Sequence, residues 1–327
     1  MVNVLIYGAG AIGSFVGCLL SELEDDEGRE DKAVENVALL GRKGHIQKIL
    51  EDGLRVKLPE GSRTIRFRHC LSRLSEIEGL DFAPDVVVVC VKTHSIPIVL
   101  DEMVKSGLLN GKLKEAVILL LMNGMGNREM FDLPSHEIVE GITSIGVVFS
   151  ENGSIELKGK GKTIIESKLR ENMMNFLRDR FEEKGFELEF SEDFKVHQWN
   201  KLFANAVINP ITALTGKQNG IVISSPLKGM VEKIVEECVS VAKREGLDFD
   251  EGEVADFVYS VSSKTSLNTS SMLQDVLKGK RTEIDSINGY IVRLARRHSL
   301  SVPVNETLYA LIKALENGRL AEERKEK

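Results

Sequence analysis

Residues 2–20 read Val2-Asn-Val-Leu-Ile-Tyr-Gly8-Ala-Gly10-Ala-Ile-Gly13-Ser-Phe-Val-Gly17-Cys-Leu-Leu20. Val2 to Tyr7 is a short apolar run rich in branched side chains, which suits a strand buried on both faces. Gly8 stops it, and Ala11 to Leu20 reads as the start of a buried helix. Between them Gly8, Gly10 and Gly13 fit G-x-G-x-x-G. Gly8 allows a tight turn, Gly10 lets the backbone approach a pyrophosphate, and Gly13 lets the helix pack close to the strand. The unpaired N–H groups of the helix start, at the positive end of its dipole, would then face phosphates. Because the triplet follows a strand and opens a helix, we read a dinucleotide site over Gly8, Ala9, Gly10, Ala11, Ile12 and Gly13. The bland alternative is a strand–helix turn with no ligand.

Working outward, Ser21 to Asn36 is acidic and polar and reads as a helix end plus a solvated loop. Val37 to Leu40 reads as a second strand, ending at Gly41-Arg42-Lys43-Gly44. An acidic residue near the end of such a strand usually holds the ribose hydroxyls of NAD. None stands here. Arg42 can meet a 2′-phosphate with two parallel hydrogen bonds, which favours NADPH and leaves NADH open; a solvated basic turn is the alternative. Leu54–Leu58 and Thr64–Phe67 alternate like hairpin strands around the turn residues 59–62. Residues 85–91 and 116–122 are further buried strands, closed by Lys92 and by Asn123-Gly-Met-Gly126. Ligands bind at the carboxyl ends of strands in open α/β sheets, so Lys92 and Asn123 are candidate site residues. Residues 138–148 are β-prone, residues 163–166 read as an edge strand, and residues 171–184 as an amphipathic helix with Met174, Leu177 and Phe181 on one face. Phe186–Phe190 is a last short strand.

From Asp193 the period changes to helical: 193–214, 225–245, 250–261, 270–277, 283–298 and 306–317, with a charged tail from Gly318 that is expected to fray. The expectation is an α/β dinucleotide-binding domain over 1–192 followed by an all-helical substrate domain over 193–327. The chemistry concentrates in Trp199 to Ala213. Lys201, Asn205 and Asn209 are four apart and form one ridge of a helix. Their apolar neighbours predict burial, which is costly for a lysine and two amides without partners. Structural core asparagines would also fit; three polar groups on one ridge suggest a stripe lining a cleft. Pro210 removes an N–H inside this helix and frees a carbonyl one turn back, predicting a kink. Farther on, Ser270 suits a helix cap, with Ser271 and Asp275 four apart beyond it. Thr282 would cap the next helix, placing Glu283 and Asp285 in its first turn, where the dipole favours carboxylates.

Taken in order, the glycine turn, Lys92, Asn123-Gly-Met-Gly126, Lys201-Leu-Phe-Ala-Asn205 with Asn209-Pro210, Ser270-Ser-Met-Leu-Gln-Asp275, Glu283-Ile-Asp285 and Asn288-Gly289 resemble the ketopantoate reductase (2-dehydropantoate 2-reductase) family from Val2 to about Leu315. The resemblance implies a Rossmann-like N-terminal domain, an all-helical C-terminal domain, and NADPH-dependent reduction of ketopantoate to pantoate toward pantothenate and coenzyme A. It implies that Gly8–Gly13, Arg42, Lys92 and Asn123 hold the nicotinamide dinucleotide. Lys201 would donate the proton, Asn123, Lys201, Asn205, Asn209, Asn219 and Ser271 would contact substrate, and Glu283 would sit near the nicotinamide and the lysine. The departures are an acidic insert near Glu24–Lys32 and Lys43 beside Arg42. The chemistry stands without the name: a ketone accepting hydride builds charge on its oxygen, and an ammonium stabilises that charge and supplies the proton. A nearby carboxylate raises the pKa of such a lysine and burial lowers it.

At 327 residues, two domains are the natural expectation, and 42% hydrophobic with 28% charged residues allows a sizeable core. The net charge of −7 argues against nucleic acid or an anionic membrane as partner. The four cysteines form no CxxC pair, which fits a reducing cytoplasm, and the six histidines form no ligand pair for a metal. No apolar stretch spans a membrane and no signal peptide is recognisable. The expected partner is a small 2-keto acid; a homodimer is compatible with the sequence. The rival functions are a two-domain dehydrogenase for another hydroxy acid and a non-catalytic dinucleotide sensor.

Overall fold

A computed structural model describes residues 2–21 and 33–323, the last six by backbone alone. The acidic insert near Glu24–Lys32 lies outside the described residues. The elements in order are β1 (Val4–Tyr7), α1 (Ala11–Leu19), β2 (Val34–Leu40), α2 (Lys43–Asp52), β3 (Leu54–Leu58), β4 (Gly61–Ile65), β5 (Phe67–Leu71), β6 (Val86–Val89), α3 (Ile96–Lys105), β7 (Val117–Leu121), α4 (Asn127–Met130), β8 (Ile138–Thr143), β9 (Gly146–Glu151), β10 (Ser154–Gly159), β11 (Thr163–Glu166), α5 (Glu171–Glu183) and β12 (Leu188–Ser191), then α6 (Phe194–Thr215), α7 (Lys228–Arg244), α8 (Glu251–Lys264), α9 (Ser271–Leu277), α10 (Asn288–Arg297) and α11 (Pro303–Glu323). They fall into two compact units. The first runs to Met122 and resumes over Asn127–Phe194; the second is Asn123–Gly126 together with the chain from Lys195.

The first unit is built on an eight-stranded sheet of order β12-β11-β8-β7-β6-β1-β2-β5, parallel except between β8 and β11. Its central strands explain their own composition. Val4 and Ile6 of β1 pack into one core layer with Phe15, Val16 and Leu19 of α1, while Leu5 and Tyr7 pack into the opposite layer with Ile96, Val99 and Met103 of α3. A strand covered by helices on both faces must be apolar at every position. The strand order reverses between β1 and β6, and Gly8 follows β1 at that reversal, the place where such sheets leave a crevice. Burial here is large: β1, β6 and β7 contain no exposed residue.

Several boundaries differ from the sequence expectation. Strand β2 begins at Val34, because Val34 is buried and its N–H donates to Arg66 O, so only part of the polar stretch is loop. The β3–β4 hairpin forms, but its turn is only Pro59 and Glu60, with Leu58 facing Gly61; β4 runs Gly61–Ile65 instead of 64–67, Phe67 opens β5, and the hairpin joins β10 and β9 in a separate four-stranded sheet. Residues 163–166 are not the edge: β12 pairs outside them. On α5 the buried residues are Met173, Leu177 and Phe181, with Met174 only partly covered.

The second unit is helical around a core that includes Trp199, Phe203, Val207 and Ile211 of α6. Side-chain caps start two of its helices, and the second of them was read from the sequence. Asp250 caps α8 by accepting from Glu253 N–H at 3.0 Å, and Ser270 caps α9 by accepting from Leu273 N–H at 3.1 Å. The expected 283–298 helix is broken. Residues 284–286 make a single 3₁₀ turn, Ile287 leaves helical geometry (φ −110°, ψ −100°), and α10 starts at Asn288. The C-terminal helix is longer than expected and keeps helical backbone to Glu323.

The glycine turn supplies a discriminating test. A Cβ on Gly13 would lie 2.2 Å from Gly8 O, whereas a Cβ on Gly10 would meet nothing closer than Gly8 O at 4.0 Å. Gly13→Ala is therefore expected to lower stability by roughly 1–3 kcal/mol through overpacking. Gly10→Ala should leave the urea midpoint in place and weaken dinucleotide binding. Equal midpoints for the two variants would contradict this.

Candidate active site

The candidate dinucleotide cradle is local to the first unit. Gly8 takes φ +102°, and its N–H and that of Ala9 both donate to Leu40 O, at 2.9 and 2.8 Å, which ties the turn to the end of β2. A Cβ on Gly8 would press 2.8 Å from Val91 Cγ1, so the turn also rests against the chain leaving β6. The first helical bond of α1 runs from Ser14 N–H to Gly10 O at 3.0 Å, leaving the N–H groups of Ala11, Ile12 and Gly13 without helical partners. With open space at Gly10, this is a backbone surface able to receive a pyrophosphate. Arg42 stands exposed just before α2, its guanidinium 5.9 Å over the ring of Phe149, and Lys43 opens that helix. Lys92 follows β6, half-buried, just ahead of a short 3₁₀ turn.

The other candidates lie in the second unit, where Asn123 joins Lys201 to Glu283. Lys201 Nζ donates to Asn123 Oδ1 at 2.9 Å, and Asn123 Nδ2 donates to Glu283 Oε2 at 3.2 Å. The amide thus sits between ammonium and carboxylate with each end turned to the correct partner. Burial pulls the Lys201 pKa down to about 8, and the negative charge of Glu283 opposes that fall without cancelling it. Desolvation wins the balance that the sequence left open.

The seating of Asn123 was missed in the sequence. Gly124 takes φ +75°, and a Cβ there would fall 2.2 Å from Ser286 Oγ; Met125 N–H donates to Ser286 O at 2.9 Å. Ser286 Oγ in turn donates to Glu283 O at 3.0 Å. The Asn-Gly pair was the available signal, since a left-handed glycine after a polar residue fixes where that residue points. Glu283 does not serve the helix dipole as expected. Its neighbour Thr282 is held by Glu316, which accepts from Thr282 N–H at 2.7 Å and Thr282 Oγ1 at 2.6 Å. Asp285 instead pairs with Arg281, Tyr309 and Lys313.

Along α6, Lys201 and Asn205 are half-buried and Asn209 is buried. Thr212, one turn beyond Asn209, shares a 2.6 Å hydrogen bond with Ser270, which fixes the start of α9 and its exposed Ser271 to this helix. Asn219 Nδ2 donates to Thr265 Oγ1 at 3.0 Å, and Thr265 spends its own hydrogen on Val261 O at 2.7 Å. Asn219 Oδ1 is left buried without a partner among the described residues. The arrangement can protonate an oxyanion and hold a small polar molecule. Glu283→Gln removes the charge that favours the ammonium, so the Lys201 midpoint is expected to drop in an NMR titration of lysine Cε. An unchanged or higher midpoint would contradict the assignment.

Comparison with known proteins places the chain in a family. The family model "Ketopantoate reductase PanE/ApbA" matches residues 4–169, and its C-terminal counterpart matches residues 193–316. The 2-dehydropantoate 2-reductase of Pyrococcus horikoshii is 32% identical over 319 residues, covering 97% of this chain and 98% of that protein. The crystal structure of a PanE/ApbA family ketopantoate reductase from Ralstonia eutropha JMP134 superimposes with a TM-score of 0.83 at 28% identity, covering 97% of this chain and 99% of that one. A D-mandelate dehydrogenase, solved with NADH and anilino(oxo)acetate, superimposes with a TM-score of 0.82 over 97% of this chain and 99% of that one; at 24% identity it speaks to the fold alone. The chain belongs to the ketopantoate reductase family.

Proposed function

We propose that this protein reduces ketopantoate to pantoate with NADPH, a step toward pantothenate and coenzyme A. The observation that carries it is the buried Lys201 ammonium, bonded to Asn123 and shifted to about 8, in a chain of this family. A lysine tuned close to working pH suits a general acid; a passive dinucleotide sensor would have no use for one.

The first unit would hold the cofactor at Gly8–Gly13 and Lys92. The open face at Gly10 and the N–H groups of residues 11–13 fit a pyrophosphate. Arg42 and Lys43, with no carboxylate at the end of β2, fit a 2′-phosphate. When bound, the reduced nicotinamide supplies hydride to the ketone carbon. Lys201 donates a hydrogen bond to the ketone oxygen and gives up its proton as charge builds there. Its three N–H groups let it keep Asn123 and still present a donor to the substrate. Asn123 and Glu283 fix where Nζ points and keep it charged at neutral pH. Asn205, Asn209 and Ser271 offer amide and hydroxyl groups to the substrate carboxylate. Asn219 Oδ1, lacking a donor, is suited to the substrate hydroxyl, and pairing it there removes a buried-polar penalty of about 1–3 kcal/mol. The four free cysteines fit a reducing cytoplasm, which is where we place the activity.

The test is NADPH oxidation with ketopantoate beside a panel of other 2-keto acids. Ketopantoate is expected to give the highest kcat/KM, with NADPH preferred to NADH. Lys201→Ala should lower kcat by roughly 10²–10⁴, the usual range for a positioned acid. Another 2-keto acid turning over faster, or full turnover by the alanine variant, would overturn the assignment.

A further inference from the structure

Pro210 lies inside α6 and has no N–H for the carbonyl one turn back, at Ala206. That carbonyl is nevertheless occupied: the fully buried Asn288 donates to Ala206 O through Nδ2 at 3.0 Å. The same Nδ2 donates to Asn305 Oδ1 at 2.9 Å, and Asn305 Nδ2 donates to Glu237 Oε2 at 2.8 Å. Glu237 is buried as well, and accepts the N–H groups of Val304 at 3.0 Å and Asn305 at 2.9 Å in the first turn of α11.

The relay has one polarity. Three donors converge on Glu237, so its oxygens act as acceptors. Asn305 must turn Nδ2 toward them, which leaves its Oδ1 facing Asn288. Asn288 must then turn Nδ2 that way, and its second N–H reaches Ala206 O. This orientation leaves Asn288 Oδ1 with no partner among the described residues, so its neighbours dictate it. Ala206 sits directly after Asn205 and three residues before Asn209.

We propose that Asn288, Asn305 and Glu237 are positioning residues: they replace the helix hydrogen bond that Pro210 removes, and so hold Lys201, Asn205 and Asn209 in the alignment that the 2-keto acid requires. The inference rests on the proposed substrate role of that ridge. It explains how a proline is tolerated within the most heavily used helix of the second unit.

A double-mutant cycle on the full-length protein tests it. In Pro210→Ala the new N–H can take Ala206 O, so Asn288 loses that task. Asn288→Ala is expected to lower kcat for ketopantoate about tenfold or more, while the Kd for NADPH stays within about twofold; in the Ala-for-Pro background the kcat loss should be at least about fivefold smaller, the coupling expected of groups sharing one hydrogen-bond site. The urea midpoints of the same four proteins should be coupled in the same sense. Losses that multiply in kcat overturn the positioning role, even if the midpoints are coupled. Midpoint shifts that add overturn the hydrogen-bond replacement itself. If Asn288→Ala does not fold, recovery of a folded double variant supports the proposal and its failure to fold overturns it. Wild-type protein inactive on ketopantoate would sink the proposed function while leaving the midpoint cycle to be read on its own.

Discussion

A single amide is bonded at one end to the ammonium of half-buried Lys201 and at the other to the carboxylate of buried Glu283, and the chemistry proposed for the second unit depends on it. Lys201 loses hydration on burial, and Asn123 Oδ1 at 2.9 Å compensates part of that loss, with Glu283 engaged on the far end of the same amide. Placing Lys201 and Glu283 on either side of an acceptor–donor group keeps the lysine charged at neutral pH while leaving its pKa near 8, well below that of an exposed lysine. Such a group gives up its proton more readily than an ordinary surface lysine, yet still carries it under working conditions.

The rest of the architecture can be understood as supplying that amide and a dinucleotide cradle from rigid surroundings. The cradle depends on contacts that only glycine permits, at Gly8 against Val91 and at Gly13 against Gly8 itself. The amide depends on another such contact, at Gly124 against Ser286. In each case a backbone segment is pressed against its neighbour more closely than any side chain would allow, which fixes the adjoining polar groups without further ligands. Around Glu283 the fixation is by charge and hydrogen bonding, with Glu316 gripping Thr282 on one side and Arg281, Tyr309 and Lys313 gripping Asp285 on the other.

Much of this was legible in the sequence. Apolar runs with no polar position identified β1, β6 and β7 because strands covered on both faces have no solvated side, and the change from strand to helical period near Asp193 marked where α6 begins. The four-residue spacing of Lys201, Asn205 and Asn209 placed them on one helix ridge. Less local features were hidden. The grouping of Asn123–Gly126 with the helical unit depends on a left-handed glycine meeting a serine far away in sequence. Thr282 does cap the turn that follows, accepting from Ile284 N–H at 3.2 Å, but the break between Ser286 and Asn288 was unreadable because it follows from tertiary contacts at Ser286 and Thr282. Pro210 announced a freed carbonyl, but nothing in the sequence said that Asn288 would fill it.

Family membership makes a dinucleotide-linked reduction the natural setting for this lysine, but its state of protonation is what the account turns on. The most direct measurement is the pH dependence of kcat/KM for ketopantoate reduction by the wild-type protein at saturating NADPH. With the ammonium in its proposed role as the acid, the rate is expected to hold on the neutral side and fall tenfold per pH unit above a midpoint near 8, as Lys201 loses its proton. A rate that stays level to about pH 10, the range of an unperturbed lysine, would contradict it.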